Sequence, residues 1–414
     1  MNFLFVHQNM PGQYRELVQW LAQAGGHRIY FLTQRQNAPN LPGVETRVYR
    51  PHHRPDDKAY GLSRVWEEAS GNGFGAVSAA RQIETQEGFR PDIIIGHVGW
   101  GELSFFKELW PDVPIIGYFE YYYNMTGGMV GFDPAEKISA HAPYLNHARN
   151  IVPLANIETV DLGHCPTHWQ RDRFPESFHR KLYVCHDGIR TDQLLPDLDV
   201  SLRLGRLAEP VTRGDEIITY VARNLEKTRG FHTMMRALPR ILAERPAARV
   251  VIVGGNEVSY GKQSDHPGGL RAEMAAELQG KVDWERVHFV GKVPYPDFKK
   301  LVQISRCHIY LTMPFVLSWS LLEAMSMQAT IVASDVAPVR EAVSHGKTGL
   351  LVDFFDPDAL AAQVVEVLAN PQDHAHLGPA ARAHVVEHYD FLTRCLPEHL
   401  ARINALVPDS KRIS

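Results

Sequence analysis

Short apolar runs alternate with longer amphipathic stretches along most of this chain. Residues 2–6 form the first run, and Tyr14, Leu17, Val18 and Leu21 follow at helical spacing. Gly25 and Gly26 end that helix, and residues 28–33 form the next run. Further strands are expected at 44–49, 92–96, 115–119, 151–154 and 182–185. Strand, helix, strand repeated in this way predicts a parallel sheet covered by helices on both faces.

The pattern then restarts. Residues 217–221 read as a strand, 223–230 as a polar loop ending in glycine, 232–243 as a helix, and 249–254 as a strand running into Gly254 and Gly255. Order and length mirror residues 1–33, although identity does not. The expected class is therefore α/β, with two Rossmann-like domains over 1–195 and 210–390. Residues 192–215, with Pro196, Gly205, Pro210 and Gly214, read as the linker. Residues 51–75 and 121–134 read as long irregular loops, which in compact domains are commonly functional. A helical pattern over 384–407 follows the final strand.

At 414 residues the chain is long enough for a large core without disulfide or metal staples. Forty-three Lys and Arg against 47 Asp and Glu give a net charge of −4, which argues against binding nucleic acid by bulk charge. No apolar run approaches the roughly 20 residues of a membrane helix. The start lacks the basic and long apolar parts of a secretory signal, so a cytoplasmic location is expected. Cys165, Cys185, Cys307 and Cys395 form no CxxC pair and read as free thiols.

Chemistry concentrates in the second half. In LTMPFVLSWSLLEAMSMQATIVASD a strand ends near Thr312 and a helix begins near Ser320. The amides of residues 318–321 would then face the strand ends, where α/β proteins bind ligands and a helix start favours an anion. Glu323 lies off the buried stripe; the competing reading is a capping box with Ser320. In VARNLEKTRG, Arg223, Lys227 and Arg229 crowd one loop, suited to phosphate oxygens or simply solvated. Gly254 and Gly255 would let the backbone approach a ligand. There is no GxGxxG after the first strand and no Walker sequence, so dinucleotide binding and P-loop hydrolysis lose weight.

These residues carry a resemblance. SLLEAMSMQATIVASDVAPVREAVSHGKTGLLVDFFDPDALA, ARNLEKTRG, RVVIVGG, RVHFVGKVP and HIYLTMPF resemble the retaining glycosyltransferases of family 4, the glycosyl transferases group 1 set, which have the GT-B fold. The likeness is strong over 217–370. In the first half it rests on strand order and on HQNMPGQY, at the place of the family's first glycine loop. It implies two Rossmann-like domains facing across a cleft, with the last helix, about 390–414, packing back on the first domain. It implies transfer of a sugar, with retention, from a nucleotide diphosphate donor to an acceptor hydroxyl in glycan or polysaccharide assembly. Glycan, lipid-linked and protein acceptors all fit. No obligatory metal or other cofactor is implied, because basic side chains and helix amides stabilise the leaving diphosphate.

By the same resemblance Arg223 meets the donor phosphate, and Lys227 or Arg229 matches the family's following lysine. Glu323 matches the second glutamate of the E-x7-E motif and would hold the donor ribose. Gly12, Gly254, Gly255, Val293, Ser318, Ser320 and Leu321 complete the donor side. The catalytic set is Glu120, His97, Arg223 and Arg229. Two departures stand out. Phe315 occupies the place of the first glutamate, which in the family touches the donor sugar. Glu120 follows the strand after which the family often has a histidine, and would hold a sugar hydroxyl or stabilise positive charge at the reacting carbon.

Other readings remain beside this one. His97 would serve the acceptor side or cap a loop. His164, Cys165 and His168 fit no standard zinc spacing, and no metal is expected. The aromatics of residues 118–123 would stack on sugar rings or pack the core. Residues 168–181, with Arg171, Arg173, Arg180 and Lys181, read as a solvated helix, with peripheral contact to an anionic membrane as the alternative. Phe315 also motivates a rival function, a non-catalytic nucleotide- or glycan-binding protein. A nucleotide-sugar 2-epimerase on the same scaffold is the other rival.

Overall fold

The computed structural model describes residues 1–205 and 209–413. The chain divides into two compact units, one of Met1–Gly188 with Phe391–Ser414 and one of Ile189–Asp390.

Unit one is built on seven parallel strands: β1 (Asn2–Val6), β2 (Arg28–Thr33), β3 (Val44–Val48), β4 (Ile93–His97), β5 (Ile115–Tyr118), β6 (Leu162–Cys165) and β7 (Leu182–Val184), in the order 3-2-1-4-5-6-7. The central strands are buried along nearly their whole length, as a sheet with two covered faces requires. The strand order reverses between β1 and β4. That switch point sets residues 7–13 and 97–102 at the carboxyl edge, the usual ligand side of such sheets. One face carries the helix Arg15–Ala24 and the returning end of the chain. Phe391, Cys395, Leu396 and Ile403 share a buried cluster with Phe3, Phe5, Ile93 and Tyr183.

Two stretches of this unit differ from the pattern-based expectation. Residues 151–154 are not a strand but part of the helix Ala142–Thr159. Its buried stripe includes Asn146, Asn150 and Asn156, so apolar periodicity could not reveal it. Asn150 pairs with the backbone of Tyr123 through both its amide atoms, at 2.9 and 2.8 Å. Residues 51–75 are not wholly irregular, because the helix Arg64–Glu87 begins within them. Its glycines permit close packing. A Cβ on Gly71 would lie 3.0 Å from the carbonyl carbon of His53, and one on Gly75 would lie 3.0 Å from that of Arg50.

Unit two repeats the plan with β10 (Ile217–Asn224), β11 (Arg249–Gly255), β12 (Val287–Gly291), β13 (Cys307–Tyr310), β14 (Ile331–Ser334) and β15 (Leu350–Val352), in the order 12-11-10-13-14-15. A small antiparallel pair, β8 (Ser201–Leu202) and β9 (Val211–Thr212), precedes them. The expected linker over 192–215 therefore folds as part of unit two, apart from residues 206–208, which lie outside the described residues. Val200, Leu204 and Val211 are buried with Ile217 and Val251. The first unit ends at Gly188 rather than 195. From there Ile189 N donates to Tyr389 O at 2.8 Å and the Thr191 hydroxyl bonds the Asp390 carboxylate, which ties the segment to unit two.

Candidate functional site

In unit two the switch point falls between β10 and β13, and the loops leaving them are fastened together. Met313 N donates to Thr228 O at 3.0 Å, and Arg229 Nη1 donates to Thr312 Oγ1 at 2.9 Å. Gly230 sits at φ +65°, and a Cβ there would lie 2.9 Å from Leu311 Cδ1. Arg223 and Lys227 are exposed at this edge. Among the described residues no carboxylate forms an ion pair with either. The Arg229 guanidinium lies over the Tyr260 ring at 5.6 Å, and Tyr260 packs on Phe315 with ring centres 5.0 Å apart. Phe315 is thus a buried aromatic wall beside Arg229.

Glu226, which the sequence reading passed over, organises this edge. Its carboxylate accepts from three successive amides, Ser259 N at 2.5 Å, Tyr260 N at 3.0 Å and Gly261 N at 2.8 Å, and from the Thr228 hydroxyl at 3.1 Å. Burial pushes its pKa up, but these donors outweigh burial and the net shift is downward.

Several expected donor-side residues have other partners. The helix Trp319–Ser326 has Ser318 as its N-cap, so Glu323 sits five positions in, beyond the third position of a capping box. Its carboxylate instead accepts from Tyr295 Oη at 2.8 Å, across from the helix Tyr295–Gln303. The amides at the helix start are not all open: Ser318 N donates to Tyr310 Oη at 3.0 Å and Leu321 N to Ser318 O at 3.2 Å. Ser320 N reaches Ser318 Oγ at 3.4 Å. Gly254 and Gly255 give room to the chain itself. A Cβ on Gly254 would lie 2.7 Å from Leu225 Cδ2, and one on Gly255 would lie 2.6 Å from Lys292 Cε. Val293 packs against the cluster of Ile217 and Val251.

In unit one the structure brings Glu120 and His97 together, with His97 Nε2 3.5 Å from Glu120 Oε2. Gln13 Nε2 donates to the other oxygen, Oε1, at 3.2 Å, and Gln170 Nε2 fixes the Glu120 carbonyl at 2.7 Å. His97 Nδ1 accepts from Gly99 N at 3.0 Å, which leaves the neutral ring's proton on Nε2, facing the carboxylate. The arrangement presents an oriented, partly accessible carboxylate at the carboxyl edge of β5. Such a group can accept from a hydroxyl or face a developing positive charge. His7 stands behind it, its ring 5.2 Å from that of His97, and burial together with His97 drives its pKa down to about 3. Gly12, at φ +55°, does not open a helix but a single turn, Gly12–Tyr14; a Cβ on it would lie 2.8 Å from His7 Cδ2. Glu102, also missed, is fully buried and accepts from Gln8 N and Tyr49 Oη, both at 3.0 Å. Burial raises its pKa to about 7.

The remaining candidates serve the unit's own packing. His164 Nε2 bonds the Cys185 carbonyl at 2.6 Å, and Cys165 is a buried thiol. Among the described residues no group of three or more His, Cys, Asp or Glu is placed to hold a metal ion. Lys181 caps the carbonyls of Ile157 and Val160, and Arg173 bonds that of Thr126. These two cations of residues 168–181 are therefore engaged internally. Among the described residues no helix is long and apolar enough to cross a membrane.

Two family models match consecutive stretches of the chain, Glycosyl transferase family 4 group over residues 25–194 and Glycosyl transferases group 1 over residues 207–384. The chain belongs to glycosyl transferase family 4. A D-inositol 3-phosphate glycosyltransferase of Streptomyces scabiei is 27% identical over 300 residues, 70% of this chain and 61% of that one. The chain thus spans about three fifths of that curated relative. A sucrose-phosphate synthase from Thermosynechococcus elongatus has a TM-score of 0.70 at 17% identity, covering 98% of this chain and 99% of its own. Anabaena HepE in complex with UDP-glucose has a TM-score of 0.67 at 15% identity, with the same coverage. At these identities the two structures speak to the fold alone, and the family 4 chain has the GT-B class of two Rossmann-like domains.

Proposed function

We propose that this family 4 chain moves a sugar from a nucleoside diphosphate donor to an acceptor hydroxyl, with retention and without an obligatory metal. The observation that carries the reading is the group of three cations at the carboxyl end of β10. Arg223 and Lys227 have no carboxylate partner among the described residues, and Arg229 is oriented by Thr312. Such a group stabilises charge that builds on a departing diphosphate. The UDP-glucose bound by Anabaena HepE supports a nucleotide-sugar donor here. Glu323, oriented by Tyr295, takes the donor ribose, and Glu120 with His97 takes the acceptor side. Glycan or polysaccharide assembly in the cytoplasm is the setting that fits.

Calorimetric titration with UDP, GDP and ADP, each with and without magnesium, tests this. One nucleotide binding tightly without metal, and weakly to Arg223→Ala or Glu323→Ala, is expected. Binding of none, or wild-type binding by Arg223→Ala, removes the donor site. Phe315 favours one second reading, a binding protein without transfer, because an aromatic side chain packed on Tyr260 offers no hydrogen bond to a sugar hydroxyl. Nucleoside diphosphate release with a donor and acceptor in hand excludes it; absence of release in every pair supports it.

A further inference from the structure

We propose that unit one carries an anion-binding subsite formed by Arg35 and Arg54, and that it takes the phosphate of a phosphorylated acceptor. That the ligand is an acceptor rests on the glycosyltransferase reading; the anion site does not.

Both arginines lie just past strand ends, Arg35 beyond β2 and Arg54 beyond β3, on the carboxyl side that also holds His7, His97 and Glu120. Both are exposed, yet neither is loose. Arg35 Nη1 donates to Met10 O at 3.0 Å, and Arg35 N donates to Thr33 Oγ1 at 3.2 Å. Arg54 Nη2 donates to Gln34 Oε1 at 3.0 Å. Gln34 is held in turn, since its Nε2 donates to Tyr49 Oη at 2.9 Å and to Asn72 Oδ1 at 3.0 Å. Tyr49 and Asn72 are buried, and the relay ends on the buried Glu102. The backbone around Arg54 is pressed onto the helix at Gly71 and Gly75, where no side chain would fit. The expected irregular loop is therefore a fixed mount.

Charge makes the second half of the argument. Each guanidinium is anchored by a neutral oxygen, which orients it without cancelling its charge. Among the described residues no carboxylate pairs with Arg35. Arg54 has only Glu68, at 3.9 Å with both side chains more than half exposed, a pair of little worth in water. Two preorganised forks with uncancelled charge suit an oxyanion that accepts from both. A phosphate monoester offers three oxygens to them, whereas a carboxylate offers two. The phosphate can belong to a soluble sugar phosphate or to a lipid-linked acceptor, and the chemistry at the forks is the same.

The test uses the full chain, titrated with inorganic phosphate and with glucose 6-phosphate in saturating UDP, and repeated without UDP. Arg35→Gln/Arg54→Gln is expected to weaken phosphate at least tenfold while UDP affinity stays unchanged, which also shows the variant folded. Co-sedimentation with phosphatidylcholine vesicles, with and without phosphatidylglycerol, reads the lipid source. Retention on anionic vesicles that the double variant loses assigns it there; binding of glucose 6-phosphate that the double variant loses assigns a soluble ester. Phosphate and vesicle binding that the double variant leaves intact, or that the wild type lacks, overturns the subsite. Failure of UDP to bind while phosphate still depends on Arg35 and Arg54 leaves the anion site standing and refutes only the donor reading.

Discussion

Replacing Glu226 by alanine removes one acceptor from four donors, the amides of Ser259, Tyr260 and Gly261 and the Thr228 hydroxyl. A hydrogen bond to a charged group contributes about 1.5–3 kcal/mol. Simple addition over the three amides would give several kcal/mol, but the loop lies at the surface and water replaces much of what is lost. A net cost of about 2 kcal/mol is the working figure, or roughly thirtyfold in the closed population of the loop. The opening is local, so it registers first in the loop rather than in global unfolding. Amide hydrogen exchange over residues 259–261 is expected to accelerate by about that factor, and UDP affinity to fall because Tyr260 no longer backs Arg229. The pH dependence has a fixed sign. The folded-state pKa lies below the ordinary 4.5, so the carboxylate's contribution is fully present above that value and is lost as pH falls through the lower one. Protection in the wild type should therefore be constant through neutral pH and decline only in acid. Wild-type exchange and wild-type UDP affinity in both Glu226→Ala and Glu226→Gln would refute the argument.

Glu102 should behave in the opposite sense. Its folded pKa of about 7 exceeds the ordinary 4.5, so stability falls as pH rises between the two, by about 3 kcal/mol in all; denaturant titrations across that range should show the slope in the wild type and not in Glu102→Gln. Gly71→Ala and Gly75→Ala would gain helix propensity at an ordinary site, yet here a Cβ meets backbone, so a loss of about 1–3 kcal/mol is expected in thermal unfolding. Tyr295→Phe removes the donor to Glu323 and should weaken UDP about tenfold without changing the melting temperature, as calorimetry and a thermal scan would report.

Much of the fold is written in side-chain period. β1 and β2 coincide with the runs at 2–6 and 28–33, because strands covered on both faces are continuous apolar segments. The failures have physical causes too. The helix Ala142–Thr159 buries asparagines that bond backbone, so its stripe is polar to a pattern count. The helix Arg64–Glu87 carries glycines that depress local propensity and serve packing over 24 residues of helix. At the site, Arg229, Glu323 and Glu120 were recognisable by type and by position after strands. Glu226 was hidden among the basic residues of its loop, although an acid placed there is the one that can grip amides. Glu102 and His7 act by burial, which no local spacing announces.

Unit one is assembled from both ends of the chain, and unit two is inserted as one continuous piece whose first and last residues, Ile189 and Asp390, are paired as neighbours. This reverses the order of completion during synthesis. Unit two has its whole sequence available while unit one still waits for Phe391 and the residues after it, so the half begun first is finished last. A ribosome stalled, or a stop codon introduced, just past Asp390 would release a complete second unit attached to a sheet with Phe3, Phe5 and Ile93 uncovered. Conversely, the adjacent ends of unit two mean that residues 189–390 can be cut out, or replaced by a short turn, without pulling apart the strands of either sheet.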